Sequence, residues 1–160
     1  VQIFNLRDRG YHIPAIAGWL FDEWDHLRPG SNVSDVIKRL ASRCKAERIP
    51  SVHVAEINAM PVGTISLVEY EMDIRTNLNP WVTAVYIHPD YRNRGIGSAL
   101  VRHIETVAIE LGVENLYLFT PDKQRMYATL GWKVIENLAY RQMDVSIMAK
   151  DLRNKSSEGK

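Results

Sequence analysis

The chain has 160 residues, 20 Lys and Arg against 19 Asp and Glu, and a net charge of +1, a balance that argues against a nucleic-acid-coating protein and against an acidic tail. Its 46% hydrophobic and 24% charged residues fill one ordinary core rather than two domains with a cleft between them, and the single cysteine, Cys44, excludes an internal disulfide. No stretch reaches the roughly 18 consecutive apolar residues of a membrane span, and Val1 to Arg9 alternates and carries charge, unlike a secretory signal, so the expectation is a cytoplasmic protein with no membrane partner.

Val1 to Leu6 reads as a short strand. Ile13, Ile16, Ala17, Leu20, Trp24 and Leu27 then recur at helical spacing, with Pro14 suited to a first turn and Pro29-Gly30 as the stop. Ser34 is the expected cap of a second helix whose buried stripe is Ile37, Leu40 and Cys44. Ile49-Pro50 ends the helical region. Val52, Val54 and Ile57 mark a strand, Asn58 to Pro61 a turn, and Val62 to Tyr70 a second strand closing a hairpin. After a loop from Asp73 to Pro80, Trp81 to His88 is apolar enough for a sheet centre.

The period then changes. Ile96, Leu100, Ile104, Val107 and Leu111 predict an amphipathic helix closed by Gly112. Leu116 to Phe119 is a short strand. Thr120-Pro121 opens another helix, as cap and first residue, and Gly131 ends it. Trp132 to Ile135 and Met143 to Ala149 finish as antiparallel strands. The order β, two helices, three strands, helix, strand, helix, two strands makes a mixed α/β fold.

One segment carries the chemistry. Val85-Tyr86-Ile87-His88-Pro89 runs into Arg92-Asn93-Arg94-Gly95-Ile96-Gly97-Ser98, a strand entering a tight turn that opens a helix. A helix start leaves backbone N–H groups unpaired and carries partial positive charge. Gly95 and Gly97 put no side chain in the way, so a phosphate fits there beside two arginines. A glycine pair at such a turn also serves plain packing. The turn lacks the Gly-Lys-Ser/Thr of a nucleotide P-loop and the third glycine of a dinucleotide fingerprint, because position 100 is Leu.

These residues resemble the GNAT acyltransferase superfamily, which uses acyl-coenzyme A. Arg92 to Gly97 matches its pyrophosphate turn, Gln/Arg-x-x-Gly-x-Gly/Ala, and Val85 to Pro89 its preceding strand. Downstream, Tyr127-Ala128-Thr129-Leu130-Gly131-Trp132 matches Tyr-x-x-x-Gly-aromatic. The resemblance is strong from Trp81 to Ile135. It implies a central twisted mixed sheet of about six to seven strands flanked by about four helices. It also implies one N-acetyltransferase domain over 1–152, with 153–160 a flexible polar tail.

By the same resemblance, acetyl-CoA is the cosubstrate. Val85, Tyr86 and Ile87 would pair with its pantetheine arm, one N–H stabilising the oxyanion. Arg92, Asn93, Arg94, Gly95, Ile96, Gly97 and Ser98 would hold the pyrophosphate. Many relatives carry Asn and then Ala three residues on, early in the last helix; Thr120 and Lys123 stand there, so Thr120 is either a pantetheine contact or only a cap. Tyr127 is the expected general acid. A phenol pKa near 10 exceeds a thiol pKa of about 8.5, so the donor stays protonated while the thiolate leaves.

The acceptor amine must lose a proton before it attacks. Candidate bases are Glu69, Glu71 and Asp73, with His88 weaker. Period-two alternation sets Glu69 and Glu71 on one face and Tyr70 and Met72 on the other, unless they merely edge a solvated strand. Asp22, Glu23 and Asp25 beside Trp19 and Trp24 either wall a cationic amine's site or form an ordinary helix with Trp24 inward. The five histidines show no ligand spacing, so no metal is expected. The expected activity is transfer of acetyl to a primary amine, on a small molecule or peptide, by direct attack in a ternary complex. The alternative is a non-catalytic acyl-CoA sensor of the same fold. No nucleic-acid partner is expected, and monomer and homodimer both stay open.

Overall fold

The computed structural model describes residues 1–153. In chain order it contains β1 (Gln2–Asn5), α1 (Ile13–Glu23), α2 (Val33–Arg43), β2 (Ser51–Ile57), β3 (Met60–Val68), β4 (Trp81–Ile87), α3 (Ile96–Glu110), β5 (Asn115–Thr120), α4 (Gln124–Thr129), β6 (Lys133–Tyr140) and β7 (Met143–Asp151). This is the predicted order. The seven strands form one mixed sheet, β1-β2-β3-β4-β5-β7-β6.

Contacts concentrate in two units. The first comprises Val1–Leu67 with Ala84–Ile104. Its core is Leu6, Ile16, Ala17, Leu20, Val36, Leu40, Val52 and Val54, all at most 1% exposed. The apolar stripe of α1 meets that of α2 and one face of β2, as 3.6- and 2-residue periods allow. The β2–β3 hairpin pairs Ile57 with Met60 across Asn58 and Ala59, both at positive φ (50° and 66°), the geometry of a two-residue primed turn. Removing a side chain such as Leu20 from this core would cost about 2–5 kcal/mol.

The second unit comprises Val68–Thr83 with Glu105–Lys160. Val68, Met72, Trp81, Tyr140, Val145 and Ile147 form its core, with Tyr117 and Phe119 against them. Antiparallel β5–β7 and β6–β7 ladders complete it, for example Phe119 opposite Ile147 and Leu138 opposite Val145.

Several expectations shift. Asn32, not Ser34, caps α2: its extended backbone lets Oδ1 accept the Asp35 N–H at 2.9 Å. Val36 and Leu40 are the buried residues of that helix, while Ile37 and Cys44 are half-buried against the core. Helix α1 ends at Glu23, so Trp24 (43% exposed) and Leu27 (73%) leave its stripe. β3 stops at Val68, two residues short of the expected end. β6 runs to Tyr140 rather than Ile135. It is an edge strand with a bulge between Val134 and Glu136, so its alternation is broken. Its turn, Arg141-Gln142, takes positive φ (51° and 66°) without Gly or Asn, which hides it from sequence. Arg153, expected at the start of the tail, is ion-paired with Asp151 at 2.8 Å. Residues 154–160 lie outside the described residues. No helix among the described residues is long and apolar enough to cross a membrane.

Candidate active site

β4 and β5 run parallel, with Trp81 opposite Tyr117. Ala84 then takes φ +53°, a left-handed conformation inside a strand, so regular pleating is interrupted just before Val85, Tyr86 and Ile87. All three are half-buried. The Ile87 carbonyl accepts Arg92 Nε at 2.9 Å, tying the strand end to the turn that follows.

Asn93 and Gly95 both adopt left-handed φ (63° and 80°), the alternation that turns successive backbone N–H groups to one side. Helix α3 closes its first bond from Ala99 N–H to Gly95 O at 3.0 Å, so the N–H groups of Ile96, Gly97 and Ser98 precede the helical ladder. A Cβ on Gly95 would meet nothing within 4 Å, and one on Gly97 only Ile87 Cγ1 at 3.9 Å. Backbone and open space therefore fit a diphosphate. Arg92 and Arg94 are exposed beside it, Arg94 above the Tyr91 ring at 5.2 Å.

The Tyr86 ring turns toward α1. Trp19 stacks on it at 5.7 Å and Trp24 meets it edge-on at 6.2 Å, while the Arg92 guanidinium lies 5.4 Å from its centroid. The expected indoles do gather, but Trp24 is not inward, and the chain's own Arg92 already occupies a cation–π position. Asp25 is spoken for as well. It is 5% exposed and receives both Arg39 Nη1 and Nη2 at 2.9 Å. Burial works against its charge, but the two-pronged arginine outweighs that and holds the carboxyl below the usual range. Asp22 and Glu23 remain exposed.

In the second unit, Tyr127 sits on α4, 6% exposed, with the Trp132 ring 6.1 Å away. Burial, with Asp122 adding to it, pushes its phenol up to about 12, so it stays protonated across the ordinary pH range. Gly131 ends this helix at φ +93°, and the Gly131 and Trp132 N–H groups bond back to Ala128 O and Tyr127 O. Thr120 acts as a cap one turn early: Oγ1 accepts the Lys123 N–H at 3.0 Å, and α4 starts at Gln124 rather than at Pro121.

The carboxylates fall otherwise than alternation implies. Glu69 lies in a bend past the end of β3, so strand faces no longer apply: Tyr70 is 60% exposed and Met72 is 1%. Asp73 is exposed, and its Oδ1 accepts the Tyr140 hydroxyl at 3.2 Å. Burial first, then Asp73 itself, raises the Tyr140 phenol. His88 caps the short turn at Pro89, Nδ1 accepting the Asp90 N–H at 3.2 Å. No group of three or more His, Cys, Asp or Glu among the described residues is placed to hold a metal ion.

Two side chains carry no local signal in the sequence. Tyr140 falls between the expected strands Trp132 to Ile135 and Met143 to Ala149, where no motif marks it. Glu105, 0% exposed, was hidden among apolar neighbours, although its place one turn from Val101 puts a charge on the buried face of α3.

Residues 49–134 match the family described as the acetyltransferase (GNAT) domain. No curated protein matches the chain by sequence. Among solved structures, an aminoglycoside 6'-N-acetyltransferase complexed with coenzyme A superposes with TM-score 0.75 at 16% identity, covering 95% of this chain and 97% of that one. The Salmonella typhimurium protein yncA, with its cofactor acetyl-CoA, gives 0.72 at 17% identity over 94% and 93%. The ribosomal-protein-alanine N-acetyltransferase of Brucella melitensis gives 0.76 at 18% identity over 94% and 99%. At such identities the likeness is one of fold; the family match spans more than half of the sequence, from the end of the helical region through the turn at Arg92 to Ser98 to β6, and by it the chain belongs to the GNAT acetyltransferases.

Proposed function

We propose that residues 1–152 act as one cytoplasmic catalytic domain that transfers acetyl from acetyl-CoA to a primary amine by direct attack in a ternary complex. The observation that carries the reading is the turn from Arg92 to Ser98, with two left-handed residues, N–H groups that precede the helical ladder, and room beside Gly95 and Gly97. Those N–H groups, with Arg92 and Arg94, would bind the diphosphate; Val85 and Ile87 would offer backbone groups to the pantetheine amides. Bound there, the thioester supplies an activated acetyl group. Tyr127 donates its phenolic proton to the departing sulfur, and its elevated pKa keeps that proton available. Asp73 and Glu69 are the carboxylates that accept the amine's proton. Two of the neighbours named above act, by name, on an aminoglycoside and on a ribosomal protein's alanine, so the fold serves both small-molecule and protein amines.

The test couples calorimetry to turnover. Acetyl-CoA should bind with measurable heat, and a panel containing a polyamine, an aminoglycoside and an N-terminal peptide should include an acetylated amine. Replacing Tyr127 by Phe should lower kcat about tenfold to a hundredfold, with acetyl-CoA affinity changed less than about twofold. Tight binding without product from any amine would favour the sensor reading instead. Absence of binding would end both.

A further inference from the structure

Helix α4 is six residues long, too short to hold its own shape, yet it carries Tyr127. Its end is held from outside. Leu130 N–H and Trp132 N–H both donate to Tyr127 O at 3.0 Å. Leu130 O in turn accepts Lys150 Nζ, and Trp132 Nε1 donates to Glu105 Oε2 at 3.1 Å. The loop is closed by Lys150 Nζ on Glu105 Oε1 at 2.9 Å. Glu105 is wholly buried, the Lys150 side chain 14% exposed and Trp132 2%. Gly131 completes the fit: a Cβ there would stand 3.3 Å from Lys150 Cε and Nζ.

From this circuit we infer that Glu105 and Lys150 are positioning residues for the acetyl transfer, gripping both residues whose amides fix the Tyr127 carbonyl and so setting where its phenol lies. The inference rests on the proton-donor role proposed for Tyr127. Stability alone does not explain the pair. A buried ion pair roughly breaks even against apolar residues of the same volume. Apolar residues, however, could neither accept from Trp132 Nε1 nor donate to Leu130 O. A proton donor displaced by about 1 Å loses up to a hundredfold in rate.

The test is a double-mutant cycle on kcat, measured as free thiol released from acetyl-CoA with the best amine of the panel. Glu105→Gln keeps an acceptor for Trp132 but removes the charge that holds Lys150. The double variant Glu105→Leu/Lys150→Met removes the charges together and guards against an unfolded single variant. Both should lower kcat about tenfold, leave the KM for acetyl-CoA within about twofold, and cost nothing further when Tyr127 is already Phe. Losses that multiply in the Tyr127→Phe background, or full kcat in the apolar double variant, would overturn the inference while leaving the role of Tyr127 intact. Full turnover in Tyr127→Phe alone would instead remove the reading beneath it.

Discussion

At the scale of single residues, burial sets protonation. Tyr127 is held at about 12 by desolvation, with Asp122 adding to it. Under saturating acetyl-CoA and amine, kcat should therefore hold level to about pH 10, where an ordinary phenol would be half ionised. A halving of kcat by that pH, absent from Tyr127→Phe, would contradict the assignment. His53 gives a stability prediction. It is 3% exposed, and burial, then His103 (ring Nε2 at 3.1 Å) and Arg7, lowers its pKa from 6.5 to about 4. The unfolded chain therefore takes up a proton below about pH 6.5 that the folded chain refuses until about 4. Stability is complete above 6.5 and falls by about 1 kcal/mol per pH unit across that window. Urea unfolding at pH 7 and pH 5 should show this slope in the wild type and a flatter one in His53→Gln.

At the scale of elements, the motif residues were legible because each depends on near neighbours. Asn93 and Gly95 make a turn, α3 begins where the turn ends, and Gly131 stops α4, all within a few residues. The boundaries read wrongly are those where a distant partner decides. β3 ends at Val68, with Met72 buried just beyond it, and β6 extends because β7 pairs with it to Tyr140. Gly63 in β3 belongs here too. An added Cβ would stand 2.9 Å from Ile87 Cδ1 and 3.2 Å from Tyr86 O, against the backbone of β4. Gly63→Ala should destabilise the protein by about 1–3 kcal/mol and weaken acetyl-CoA binding, because Tyr86 and Ile87 must yield. A shift in urea midpoint with unchanged cofactor affinity would separate the packing role from the binding one.

For the whole molecule, cofactor and fold are linked. A ligand bound only by the folded chain adds about 2.7 kcal/mol at a hundred times its Kd, so acetyl-CoA should raise Tm by several degrees, and inorganic phosphate alone far less. With a net charge of +1, retention on DNA at physiological salt should be negligible. The order of the elements, the turn from Arg92 to Ser98 and the tyrosine on the last helix were decided by the sequence itself, because helical and strand periods, glycine backbone freedom and helix-start polarity act over a few residues. The ion pair of Asp25 with Arg39, the bond of Asp73 to Tyr140 and the circuit of Glu105 with Lys150 were decided only by tertiary structure. Their partners stand 14, 67 and 45 residues apart. Hydrophobic patterning says which face of an element is buried; which distant charge it meets there follows from the packing of one element on another.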